Sequence, residues 1–228
     1  MPLLVGIDGT GSAVMPGAGR DRDYDVVFAN SFVSRLCKPD TANRRYFRGP
    51  VALGGGLVDA INNGFNFIEM RHRQNASLPV LLTGYSRGAA GVVALAAKLK
   101  RANIPVKALL MFDCVDRHLF IDAEAIPNNV SYVMHVIRDP KSGSRESFSN
   151  DGMRYSPPTI YPTAYTFMCT HGGMGGTPWD VTGHSPNEII DEGGIDGKTN
   201  ITYGEDARVS AQIWDFVQGF INQHGFRT

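Results

Sequence analysis

Short apolar runs alternate along this chain with helix-spaced apolar positions. Leu3 to Ile7 is a continuous apolar run that ends in the loop signal Asp8-Gly9-Thr10-Gly11-Ser12. Val26 to Cys37 has helical spacing, and Leu57, Ile61, Phe65 and Ile68 fall on one helix face. Val80-Leu81-Leu82, after Pro79, predicts a second buried strand, and Ala89 to Leu99 an Ala-rich helix. Val106 to Phe112, Val130 to Ile137 and Tyr165 to Thr170 predict three more strands. Val209, Ile213, Phe216, Val217 and Phe220 form the stripe of a closing helix. Strands without clean alternation, separated by helices, imply a mainly parallel sheet covered on both faces. Right-handed crossovers make this a doubly wound α/β fold, expected as a single domain over residues 1–228. Two weakly periodic stretches, Pro140 to Pro162 and Gly172 to Gly204, are expected to border a ligand site at the C-terminal edge of the sheet. Their Met153, Tyr155, Tyr161, Met174 and Trp179 suit either the lining of a shallow groove or loop anchors in the core.

Composition narrows the function. Of 228 residues, 43% are hydrophobic and 19% charged, enough for a proper core. Lys+Arg and Asp+Glu both number 22, so the basic footprint of a nucleic-acid binder is missing. The 3 cysteines, Cys37, Cys114 and Cys169, sit in or beside apolar runs and read as buried thiols of a reducing compartment. No apolar stretch approaches the roughly 18 residues of a membrane span. The N-terminus lacks the basic start of a signal peptide. A cytoplasmic protein is expected, or one exported without a cleaved signal.

Gly84-Tyr85-Ser86-Arg87-Gly88 matches G-x-S-x-G. It directly follows the strand Val80 to Thr83 and opens the Ala-rich helix, the strand-turn-helix setting of a nucleophile elbow. Ser86 would be lifted above the sheet, with the helix N-terminus behind it favouring developing negative charge. The bland alternative is a Gly-Ser turn in an ordinary strand-helix unit.

A serine hydroxyl needs a base, commonly a histidine held by a carboxylate, in the chain order Ser, acid, His. Of the 6 histidines, His72, His118 and His135 come too early, and His224 ends the last helix, facing solvent. His171 directly follows a strand and opens Gly172-Gly173-Met174-Gly175-Gly176; His184 is the runner-up. His171, His184 and Asp180 could also be metal ligands, but in no recognised spacing. Asp113 and Asp139 end successive strands, with Asp116 one turn beyond Asp113. Either strand-end carboxylate can serve as the acid, or instead cap a helix or bridge to a nearby Arg. Position alone leaves the choice open, while strand order favours Asp139. Backbone N–H groups of Arg87 and of the Thr10-Gly11 turn are candidates for an oxyanion hole. The Asp8 to Ser12 loop lacks the further residues of a P-loop or dinucleotide fingerprint.

These residues resemble a family of uncharacterised bacterial and fungal α/β hydrolases that includes type VI secretion phospholipase effectors. The resemblance rests on Asp8-Gly9-Thr10-Gly11, Gly84-Tyr85-Ser86-Arg87-Gly88-Ala89, Asp113-Cys114-Val115 and His171 with its glycine run. His135, Asp139, Arg145 and Phe148 fit a further part of the pattern. It implies an α/β-hydrolase-like fold, Asp113 as the acid and His171 as the base. Cys114 replaces the family's usual Thr, and the chain is short, with little room for a lid or membrane-docking domain.

The expectation is a serine hydrolase using Ser86, His171 and Asp113, with Asp139 as the alternative acid and Arg87, Thr10 and Gly11 around the oxyanion. The substrate would be a small-molecule or lipid ester, with no metal or organic cofactor. A non-catalytic binding protein of this fold and an acyltransferase with the same triad are the alternatives.

Overall fold

The computed structural model describes residues 1–11, 21–116, 121–161, 164–194 and 196–227. In chain order the elements are β1 (Leu3–Ile7), α1 (Asp21–Val27), α2 (Phe32–Cys37), β2 (Arg44–Phe47), α3 (Leu57–Gln74), β3 (Val80–Tyr85) and α4 (Arg87–Arg101). There follow β4 (Val106–Phe112), β5 (Ala125–Ile126), β6 (Val130–Arg138), β7 (Arg154–Tyr155), β8 (Tyr165–Phe167), α5 (His171–Met174), β9 (Ile189–Asp191), β10 (Lys198–Thr202) and α6 (Tyr203–His224). Two 3-10 turns, Pro140–Ser142 and Glu146–Phe148, lie between β6 and β7.

Six strands form one sheet in the order β2-β1-β3-β4-β6-β8, and every neighbouring pair is parallel. This is a doubly wound α/β fold with a parallel sheet covered by helices on both faces. Both sheet faces are apolar because both are covered. Leu3, Val5, Ile7 and Leu82 pack with Leu57, Ile68, Val92 and Leu95 of α3 and α4. Leu4, Leu81, Leu110 and Phe112 pack on the opposite side with Phe32 and Leu36 of α2 and Ile213 and Val217 of α6. Each such buried side chain contributes about 1.5–3 kcal/mol relative to exposure. Strand order reverses at β1: β2 lies on one side, and β3, β4, β6 and β8 follow on the other. Ligands of open α/β sheets bind beyond the carboxyl ends of the strands at such a switch point.

Several expectations need correction. The helix expected over Val26 to Cys37 is two helices, because Ser31 ends the intervening turn and caps α2 by accepting from the Ser34 N–H. The edge strand β2 was not foreseen, since Arg44-Arg45-Tyr46-Phe47 is half-buried and carries no apolar run. The strand expected from Tyr165 to Thr170 stops at Phe167. Phe216 of the closing-helix stripe is exposed on one side and meets the rings of Tyr165 and Phe167 edge-on. His224 is buried against Tyr132 and Phe220 rather than facing solvent. All three cysteines are buried free thiols. Among the described residues no helix is long and apolar enough to cross a membrane.

Candidate active site

At the end of β3 the chain turns sharply into α4, with Ser86 at φ 56° and ψ −129°. A non-glycine residue held there costs about 1–3 kcal/mol. Neighbouring strands and the new helix hold it. The Ser86 N–H donates to Phe112 O at 3.0 Å, and its carbonyl accepts from Ala89 N at 3.0 Å and Val115 N at 3.2 Å. The turn is possible only because its flanks lack side chains. A Cβ on Gly84 would lie 2.6 Å from Ala89 Cα, and one on Gly88 would lie 2.2 Å from Asp8 O. The second contact presses the elbow against the end of β1.

The Ser86 hydroxyl lies 2.9 Å from His171 Nε2, and His171 Nδ1 lies 2.6 Å from Asp113 Oδ2. The ring therefore carries its proton on Nδ1, donates it to Asp113 and accepts the Ser86 hydroxyl proton at Nε2. Asp113 follows β4 at φ 46° and is fully buried. Burial alone would raise its pKa. The hydrogen bond and charge of His171, the charge of Arg138 and the Asn150 amide outweigh it, and the carboxyl is held well below its ordinary range. Arg138 donates its Nη1 to Asp113 Oδ2 at 2.5 Å and its backbone N–H to Oδ1 at 3.1 Å. Asn150 Nδ2 donates to Oδ1 at 2.7 Å.

The His171 backbone is anchored as firmly. Its N–H donates to Ser144 Oγ at 2.8 Å, and its carbonyl accepts from the Tyr85 hydroxyl at 2.8 Å. Ser144 in turn donates to buried Glu192 at 3.0 Å. Buried Asp206 of α6 accepts from Thr170 N and Trp179 N, both at 2.9 Å, and so ties together the two ends of the glycine-rich segment. Behind Asp113, the Cys114 N–H donates to His135 Nε2 at 3.1 Å, so His135 is a buried prop rather than a base.

Two connected cavities meet at His171. One, about 340 Å³, is lined by Ser86, Arg87, Val115, Phe148, Ala52 and Thr10. The other is an open groove of about 1090 Å³, along Tyr24, Phe28, Val26, Val27 and Trp179. Both loop-rich stretches reach this mouth, the first through Arg145 and Phe148 and the second through Thr177 to Val181. Of the five apolar side chains expected there, Trp179 lines the groove. Tyr161 and Met174 are buried in the two cores, and Met153 and Tyr155 are partly exposed elsewhere.

Arg87 is the first residue of α4, beside Ser86. Thr10 borders the Ser86 pocket, and no partner is found for its N–H among the described residues. Gly11 is different: its N–H donates to Pro50 O at 2.9 Å, and it borders the groove rather than the Ser86 pocket. Asp8 sets this turn. It is fully buried, accepts from Gly9 N at 2.9 Å, from Tyr46 at 2.9 Å and from Ser31, and burial pushes its pKa to about 6.

The remaining candidates stand apart from the serine and its histidine. Asp139 caps the 3-10 turn Pro140–Ser142 by accepting from Lys141 N at 2.9 Å. Asp116 accepts from Ala123 N. His184 pairs with Glu188 at 3.0 Å and stacks on Tyr203, and His72 lies in the last turn of α3. Among the described residues no group of three His, Cys, Asp or Glu side chains is placed to hold a metal ion. Ser12 and His118 lie outside the described residues. Sequence reasoning missed Arg138, Asn150, Ser144, Glu192 and Asp206. The one available signal was an arginine closing the apolar run Val130 to Ile137.

No family model matches the chain. No curated protein matches it either. Among solved structures it is similar to a protein of unknown function from Agrobacterium tumefaciens, at 15% identity, 98% of this chain, 91% of that one and a TM-score of 0.40. A thioesterase of the prodiginine pathway of Streptomyces coelicolor is similar at 14% identity, 78% of this chain, 85% of that one and a TM-score of 0.37. Lysin B from Mycobacteriophage D29 is similar at 16% identity, 96% of this chain, 90% of that one and a TM-score of 0.33.

Proposed function

We propose that this chain is a serine hydrolase of carboxylic esters, with Ser86 as nucleophile, His171 as base and Asp113 as acid. The observation that carries the reading is the unbroken hydrogen-bond chain from Asp113 Oδ2 through His171 to Ser86 Oγ, at 2.6 and 2.9 Å, with the serine on a strained elbow. His171 takes the hydroxyl proton as Ser86 attacks the ester carbonyl. Asp113 keeps the ring in the required tautomer and stabilises the imidazolium. The developing oxyanion faces the N-terminus of α4, and its donors are the N–H groups of Arg87 and Thr10. Gly11 leaves the proposed hole because its N–H is engaged by Pro50. His171 then passes the proton to the leaving alkoxide. Water, activated by the same ring, releases the acid from the acyl-enzyme.

The nucleophile pocket, about 340 Å³, stands at the small end of ligand sites and favours short or medium acyl groups. The larger groove then takes the alcohol portion. A nitrophenyl ester series of increasing chain length tests this, with long-chain lipid presented below and above its aggregation threshold. The expected result is a short-chain preference with no jump at the threshold. A sharp jump with long-chain preference would instead support the phospholipase activity that the family resemblance implies.

A further inference from the structure

Arg138 is 5% exposed, and among the described residues no other lysine or arginine is buried. Burying a guanidinium is expensive unless its donors are satisfied. Beyond Asp113, its Nε donates to Ser144 O at 2.8 Å, and its Nη2 to Arg145 O at 3.0 Å and Ser149 O at 3.3 Å. A loop-holding role alone could be met by neutral donors. The cation is placed on the very carboxylate oxygen that His171 uses, with Nη1 3.5 Å from His171 Nδ1.

We propose that Arg138 is a positioning residue of the triad. It holds Asp113 ionised whatever the state of His171, and its charge opposes a second proton on that ring. His171 then stays a competent base to lower pH than it would without the arginine. This inference rests on the triad reading above.

The other groups facing the pair leave this role to Arg138. Tyr85 at the end of β3, Cys114 after β4 and Cys169 before α5 are all pushed far up by burial. His135 of β6 is pushed down to about 4 by burial. Arg145 at the pocket rim pairs with Asp196 at 2.9 Å. Asp8, near 6, lies behind the β1 turn and titrates alike in every variant compared.

The test is the rate of Ser86 labelling by a fluorophosphonate as a function of pH, in wild type, Arg138→Gln, Arg138→Lys and Asn150→Ala. In Arg138→Gln the acid-side fall in rate should move up by about one to three pH units. Arg138→Lys keeps the charge but loses the fork to the loop, so its plateau should drop while the fall-off stays with wild type. Asn150→Ala removes a neutral donor to the same carboxylate and should leave the fall-off in place. This arm remains decisive if Arg138→Gln does not fold. An unmoved fall-off in folded Arg138→Gln, or a shift in Asn150→Ala of similar size to that expected of Arg138→Gln, overturns the proposal. Absence of Ser86 labelling in wild type would instead overturn the triad reading itself.

Discussion

His135 should make the protein acid-sensitive, and replacing it with glutamine should remove that sensitivity. The ring is fully buried, accepts from Cys114 N at Nε2 and places Nδ1 3.1 Å from the Tyr161 hydroxyl. Burial lowers its pKa from 6.5 to about 4, with the Asp113 charge pulling weakly the other way. Between those values the unfolded chain binds the proton and the native one does not. The contribution is therefore complete above the unfolded value and is lost as pH falls through the folded one. The difference is worth about 3 kcal/mol. Asp8 runs the opposite way: its pKa is raised by burial from 3.8 to about 6, so its contribution is lost as pH rises through that range. Asp113 is held low by His171 and Arg138 against burial, and loses its contribution as pH falls below 3.8. Both are present in wild type and variant, and cancel in the comparison. Glutamine can accept from the Cys114 N–H and carries no charge at any pH. At pH about 7.5 His135→Gln should be less stable by about 0.5–3 kcal/mol from imperfect packing. That deficit should shrink by about 3 kcal/mol as pH falls to about 4. Urea unfolding followed by fluorescence of Trp179 and Trp214 at a series of pH values measures it. A stability difference that stays constant over that range would show that His135 does not titrate differently in the folded and unfolded chains.

Two further outcomes follow from the same geometry. Asp113→Asn should reduce ester turnover by about 10⁴-fold through the wrong tautomer of His171, while Asp139→Asn should leave it nearly unchanged because asparagine caps a helix as well as aspartate; kcat/KM of the two purified variants decides. Gly88→Ala should destabilise the fold by about 1–3 kcal/mol and cut activity, because its Cβ would sit 2.2 Å from Asp8 O and 2.3 Å from Ile7 O, backbone that cannot swing away; thermal melting beside wild type measures the first effect.

The parts of this molecule that are legible in its sequence are those written locally. Predominantly apolar runs mark β1, β3, β4 and β6, since a parallel strand covered on both faces needs them. The elbow is legible because Gly84 and Gly88 are demanded by contacts within a few residues and with the neighbouring strand. Polar edges and long-range partners are less visible. Nothing in Arg44-Arg45-Tyr46-Phe47 announces a strand, because half its surface faces water. Arg138 looks like the polar end of a strand until Asp113, 25 positions earlier, is brought against it. Glu192 and Asp206 look like surface carboxylates until Ser144, Thr170 and Trp179 are folded over them. The choice between Asp113 and Asp139 shows the same limit, since both end strands and only their side-chain partners differ.

Finding where an active-site probe attaches decides whether Ser86 is the nucleophile. The folded protein is incubated with a fluorophosphonate in slight excess, digested, and the modified peptide identified by mass spectrometry. A triad centred on Ser86 predicts a single adduct there, abolished in Ser86→Ala and strongly slowed in His171→Ala with the fold retained. A folded protein whose Ser86 stays unmodified, or a Ser86→Ala variant labelled as fast as wild type, would contradict it.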